Sequence, residues 1–156
     1  DGGVIANNPS PIGGTWAWCW VHDDVMIKHE YGVVEPCDLG LTKITNNHTE
    51  LLAAVRALES LPEWSKENPW SGTLWTDSQV TLRRITKHPP FRNVPEWFIK
   101  RVRKLRKLRP KVRLVAGHPT ENELSQGFAD RNRFPVSSWN VWCDKTCQRL
   151  AKEFRR

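Results

Sequence analysis

At 156 residues the chain suits one domain, 1–156, with a real hydrophobic core and little room for a second. Its 24 Lys and Arg outnumber 17 Asp and Glu to give a net charge of +7, which suits a polyanionic partner. No apolar run approaches the length of a membrane span and no secretory signal precedes the first strand, so no membrane association is expected. The four cysteines (Cys19, Cys37, Cys143, Cys147) lack C-x-x-C spacing and do not form a secreted disulfide pattern; a reducing, cytoplasmic setting is expected.

In chain order, Asp1 to Ile5 reads as the end of a strand, followed by an Asn-, Pro- and Gly-rich loop from Ala6 to Gly14. Thr15 to Val21 alternates, with Trp16, Trp18 and Trp20 on one face, where packing against a helix is the default. His22-Asp23-Asp24 is a turn into a third strand, Val25 to Val34, making a hairpin. A connection then leads to the stretch around which the chain is organised, Thr45 to Leu58.

That stretch reads as a helix with Asn47 as N-cap. Leu51, Ala54, Val55, Leu58 and Leu61 fall on one face, and Pro62 stops the run. Glu50 sits three residues after Asn47, where it is placed to close a capping box. Gly72 to Thr76 is a fourth strand entering Asp77, and a second helix follows from Ser78 to about Thr86. Pro95 opens a third helix through about Leu108, with Phe98, Val102 and Leu105 as its apolar side. Lys111 to Ala116 is the fifth strand, and Asn140 to Phe154 the last helix, in which Cys143 and Cys147 share the apolar stripe as core thiols. Gly117 to Trp139 shows no sustained period and reads as a long loop. The order βββαβααβα predicts one α/β domain with a mixed sheet.

The positive charge is concentrated. From Trp97 to Thr120 there is no acid, and Lys100, Arg101, Arg103, Lys104, Arg106, Lys107, Arg109, Lys111 and Arg113 supply nine cations, without which the net charge would be −2. A face this one-sided suits nucleic acid better than ordinary solvation, which mixes both signs.

Four acids lie where strand ends and helix starts would gather them: Asp1, Glu50, Asp77 and Asp144. Singly, Asp77 reads as a helix cap and Asp144 as an acid near the positive end of its helix. Together in one cleft they would repel unless a hard, oxygen-liganded cation such as Mg²⁺ or Mn²⁺ neutralised them, and a pair of such ions suits phosphodiester hydrolysis.

At this point the chain resembles type 1 ribonuclease H. The matching pieces are Asp1-Gly2-Gly3 with Asn8-Pro9 and Gly13-Gly14, then Thr45-Asn46-Asn47-His48-Thr49-Glu50-Leu51-Leu52-Ala53-Ala54, and Thr76-Asp77-Ser78-Gln79. Asn93-Val94 with Trp97, Gly117-His118-Pro119, and Asn140 four residues before Asp144 complete the series in the family's order. The resemblance implies a five-stranded mixed sheet with helices on both faces and hydrolysis of the RNA strand of RNA–DNA hybrids to 5′-phosphate and 3′-hydroxyl ends. It implies two Mg²⁺ ions, for which Mn²⁺ would substitute, on Asp1, Glu50, Asp77 and Asp144, with His118 assisting proton transfer and product departure. Asn8, Asn46, Asn47 and Gln79 match positions contacting the hybrid, Thr45 one seating a DNA-strand phosphate, and Trp97 one beside the DNA strand. Lys100, Arg101 and Lys104 are expected to add electrostatic grip, Asn140 to complete the binding set, and the protein to act as a monomer.

Three departures from the family pattern stand out. Several strand residues precede the first acid in the family, so the numbering here is expected to begin inside the first strand. The basic protrusion of many bacterial relatives is missing, since only Thr86 to Arg92 intervenes, and the cationic helix is expected to take its place. His118 and Asp144 are 26 positions apart, an insertion relative to short-loop relatives. Two other readings are a DNA-processing nuclease of the same superfamily and a non-catalytic hybrid-binding module; four intact carboxylates argue against the second.

Overall fold

The computed structural model describes residues 1–61 and 72–155, so the expected helix stop at Pro62 lies outside the described residues. Strand β1 (Gly2–Val4) pairs antiparallel with β2 (Gly14–His22), which pairs antiparallel with β3 (Val25–Val34). Asp23 and Asp24 both take positive φ, 48° and 59°, the twist that joins β2 to β3 in a tight hairpin. A 3-10 turn (Pro36–Leu39) leads to helix α1 (Asn46–Glu59), and β4 (Thr73–Thr76), α2 (Gln79–Thr86), α3 (Glu96–Arg106) and β5 (Lys111–Leu114) follow. Helices α4 (Glu121–Gln126) and α5 (Ser138–Phe154) complete the described order.

The alternation in β2 sorts two cores. Trp16 and Trp18 are buried against Leu51, Leu52, Val55 and Leu58 of α1, and Trp20 packs beside them, as the stripe predicts. Ala17 on the other face is fully buried with Cys143 and Cys147 of α5. Helices thus cover both faces of this sheet, and the four cysteines carry no disulfide. Phe98, Val102 and Leu105 bury the inner side of α3 as expected, leaving Lys100, Arg103, Lys104 and Lys107 outside.

The sheet departs from expectation. The five strands form two ladders, β1-β2-β3 and β4-β5, with β4 and β5 parallel, instead of one five-stranded sheet. Strand β1 spans three residues and, among the described residues, pairs with β2 alone. A cavity of about 520 Å³, lined by Trp18–Val21 on one side, Gly72–Thr76 on the other and Ala53, Ala54 and Ala57 of α1, lies between the two ladders.

The N-cap of α1 is Thr45, not Asn47. Its hydroxyl accepts from the His48 N–H, and the box is closed by His48 at N3, so Glu50 is released from capping. Within the expected loop 117–139 lies α4, whose Thr120–Glu123 capping box is complete. Glu123 Oε1 accepts from the Thr120 N–H at 3.0 Å and its Oε2 from the Asp130 N–H at 2.8 Å. The Ala116 N–H donates to Pro135 O at 2.9 Å, so the insertion is tied back to the end of β5.

No helix among the described residues is long and apolar enough to cross a membrane.

Candidate active site

Three elements deliver carboxylates to one point. Asp1 continues the β1–β2 ladder, its carbonyl accepting from the Ala17 N–H at 2.9 Å, which fixes it at the head of β1. Glu50 lies in the second turn of α1, and β1 is pressed against that turn: a Cβ added to Gly2 would meet the backbone of Thr49 and Glu50 at 2.4 Å. Only glycine permits that approach. Asp77 follows the last residue of β4, and Ser78 caps α2 by accepting from the Thr81 N–H at 3.1 Å. Capping therefore falls to the serine, and the Asp77 carboxylate is left for the cleft.

Oxygens of Asp1, Glu50 and Asp77 lie within 4.8 Å of one another, and all three residues are partly buried. Glu50 Oε2 is buried without a hydrogen-bond partner. A buried carboxylate oxygen left unpaired is costly, and a cation would satisfy it. Burial pushes the Glu50 carboxyl up to about 7, opposed by the Asp1 α-ammonium and the Gly2 N–H and reinforced by the Asp77 and Asp144 carboxylates. A hard all-oxygen donor set on three converging carboxylates fits Mg²⁺ or Mn²⁺.

Asp144 stands apart from this triad. Its Oδ2 is 3.3 Å from His118 Nδ1 and accepts from Gln148 Nε2 at 3.0 Å, although its charge still reaches Glu50. Ser137 caps α5 by accepting from the N–H groups of Trp139 and Asn140, which turns the first turn of the helix toward the cleft. Asn140 Nδ2 then donates to Asp77 Oδ2 at 3.4 Å. His118 sits on a positive-φ loop position (φ 48°) with its side chain 75% exposed. The 26-position gap in sequence is therefore closed in space: the insertion folds as α4 and its return, and His118 meets Asp144.

The remaining expected residues surround the same end of the molecule or α3. Asn8, Asn46, Asn47 and Gln79 are exposed, and Asn8 Oδ1 accepts from the Asn46 N–H at 3.4 Å, tying the first loop to the start of α1. Trp97 is 42% exposed, and its ring lies 5.4 Å from that of Phe98. Lys100 and Lys104 are exposed on α3, whereas Arg101 is held by Glu59 through two hydrogen bonds and lies over Trp97 at 5.8 Å. Arg106 is likewise engaged, donating to Arg84 O at 2.7 Å.

Three contributors were missed in the sequence. Gly117 packs on Asp77, with an added Cβ only 3.0 Å from Oδ2. Gln148 follows Asp144 by four residues, a helical spacing that marks it as a neighbour. His48 is buried in the first turn of α1, at the N3 position where Glu or Gln ordinarily closes a box.

No family model matches the chain. It is 33% identical over 108 residues to a protein named Ribonuclease H from Dechloromonas aromatica (strain RCB), a match that spans 59% of this chain and 69% of the relative. Among solved structures it is similar to LC11-RNase H1, isolated from compost by a metagenomic approach, with a TM-score of 0.61 at 14% identity, covering 100% of this chain and 94% of that one. It is also similar to the N-terminal RNase H domain of a Mycobacterium tuberculosis protein solved as a fusion with maltose-binding protein, with a TM-score of 0.56 at 14% identity over 99% and 91% of the two chains. At that identity the two structures speak for the fold alone.

Proposed function

The chain belongs to the ribonuclease H family, and on that premise we propose that it is a metal-dependent endoribonuclease cutting the RNA strand of RNA–DNA hybrids. The observation that carries the reading is the convergence of Asp1, Glu50 and Asp77 within 4.8 Å around an unpartnered buried Glu50 oxygen. In this reading Asp1, Glu50, Asp77 and Asp144 hold two Mg²⁺ ions, and Mn²⁺ substitutes. Bound there, the ions would supply Lewis acidity and charge neutralisation for hydrolysis of a phosphodiester to 5′-phosphate and 3′-hydroxyl ends.

The chain's own groups divide the remaining work. Asn140 Nδ2 orients the Asp77 carboxylate, and Gly117 leaves it room. His118 moves a proton at Nδ1, beside Asp144 Oδ2, and from its exposed loop passes it between the site and solvent as product leaves. Asn8, Asn46, Asn47 and Gln79 read the hybrid, including hydroxyls of the RNA strand, while Thr45 and Trp97 seat the DNA strand. Lys100 and Lys104, with Arg101 held against Trp97, add charge along α3. The protein works as a monomer, in a reducing, cytoplasmic setting that would keep its four cysteines as free thiols.

The test is cleavage of end-labelled RNA–DNA, RNA–RNA and DNA–DNA duplexes with Mg²⁺ and with EDTA. Metal-dependent cutting of only the hybrid's RNA strand is expected. Cutting of duplex DNA would favour a DNA-processing nuclease, and binding without cutting a non-catalytic module. Asp77→Asn should lower kcat by at least about a hundredfold while leaving the hybrid Kd within about threefold, because it removes a metal ligand and not the grip. Near-normal kcat in that variant would overturn the site assignment.

A further inference from the structure

His48 is an unusual residue at the third position of a capping box, and it does more than close one. It is 4% exposed, in the first turn of α1. Nδ1 accepts from the Thr45 N–H at 3.0 Å, and the Thr45 hydroxyl lies 3.2 Å from the same nitrogen. Nε2 lies 2.7 Å from the carbonyl oxygen of Asn93, a residue of positive φ (53°) in the exposed connection that leads to Trp97.

The partners fix the tautomer. A backbone N–H can only donate and a carbonyl can only accept, so Nδ1 carries the lone pair and Nε2 the proton. One neutral imidazole therefore spans two segments 45 residues apart, at a point where neither a Glu nor an Ala would do so. A Glu at N3 closes the box but has no hydrogen to give Asn93 when ionised.

We propose that His48 is a positioning residue for the nucleic-acid surface: it locks the Thr45–Asn46–Asn47 end of α1 to the Asn93–Trp97 connection, so that contacts to the two strands of the substrate are held at a fixed separation. This rests on the hybrid-cleaving reading above. The imidazole touches neither the carboxylates nor any reacting atom, so its loss is felt in binding and not in the chemical step. Preorganised contacts bind more tightly because their ordering is settled before the ligand arrives.

The test compares wild type with His48→Met and His48→Gln. Met fills the volume but offers neither bond, whereas Gln keeps one acceptor and one donor. His48→Met should raise KM and the hybrid Kd measured in EDTA by roughly five- to tenfold with kcat within about twofold, and His48→Gln should restore most of the loss. Leu58→Ala, a core change in the same helix, should lower stability without moving KM, which separates positioning from general weakening. An unchanged KM and Kd in His48→Met, or a loss confined to kcat, would overturn the proposal.

Should the Met variant fail to fold, the imidazole nitrogen-15 spectrum of the wild type decides. A single neutral tautomer with its proton on Nε2, shifted by added hybrid, is expected. A proton on Nδ1, or a resonance indifferent to the hybrid, would overturn it. Because the binding arms use EDTA, they also stand apart from the reading beneath them: absence of any cleavage by wild type would defeat the hybrid-cleaving function and leave the Kd comparison intact.

Discussion

Glu50 concentrates the energetic tension of the site. Its carboxyl stands at about 7 in the folded protein against an ordinary value of 4.5, chiefly because burial penalises the charged form. Without metal, the folded state therefore keeps a proton that the unfolded chain has already lost, and stability falls as pH rises from about 4.5 to about 7. The loss is on the order of 2–3 kcal/mol after allowance for partial exposure. Urea unfolding in EDTA across that window should show the decline, Glu50→Gln should flatten it, and Mg²⁺ should restore stability at the upper end. A wild-type profile without slope would contradict this account of Glu50. The residue's position was legible from its place after Thr-Asn-Asn. Its freedom from capping was not, because that depended on which of Thr45 and Asn47 leaves the helical region of backbone space.

At the scale of elements, α3 shows how one helix carries two functions on two faces. Phe98 and Val102 are fully buried, which anchors the helix whatever its outer charges do. Arg101 is committed to Glu59 and Arg106 to Arg84, so the outward charge available to a polyanion rests mainly on Lys100, Lys104 and Lys107, with Arg103 3.5 Å from Glu96 on an exposed pair. Changing those four to Gln should leave kcat and the fold intact. KM should rise, and the log–log salt slope should flatten by nearly one for each phosphate that the helix no longer neutralises. An unchanged slope would show that α3 faces solvent only. The apolar stripe and the cation run of α3 were both visible as a period in the sequence. Helix α4 carried its Thr-x-x-Glu signature in plain sight but buries none of its residues, so no apolar period drew attention to it.

At the scale of the molecule, α1 is the common wall of core and site. Its inner face closes on Trp16 and Trp18, and its second turn presents Glu50. Leu51, the next residue, is fully buried. Leu51→Ala should cost about 2–5 kcal/mol by removing methyl groups from a packed core. The drop should appear in urea unfolding, while metal-dependent turnover per folded molecule persists if the wall only supports the site.

The sequence by itself determined the identity and order of the strands and most helices, because hydrophobic period, caps and turn residues act over a few neighbours. It also determined which acids could meet, since Asp1, Glu50 and Asp77 each sit beside an element boundary. Tertiary structure alone decided that Asp144 turns to His118 while the other three converge, and that β4 and β5 form their own ladder beside a cavity. It also decided that His48 spans from Thr45 to Asn93. Those outcomes depend on contacts between segments far apart in the chain, whose separations are set by packing and by no local pattern.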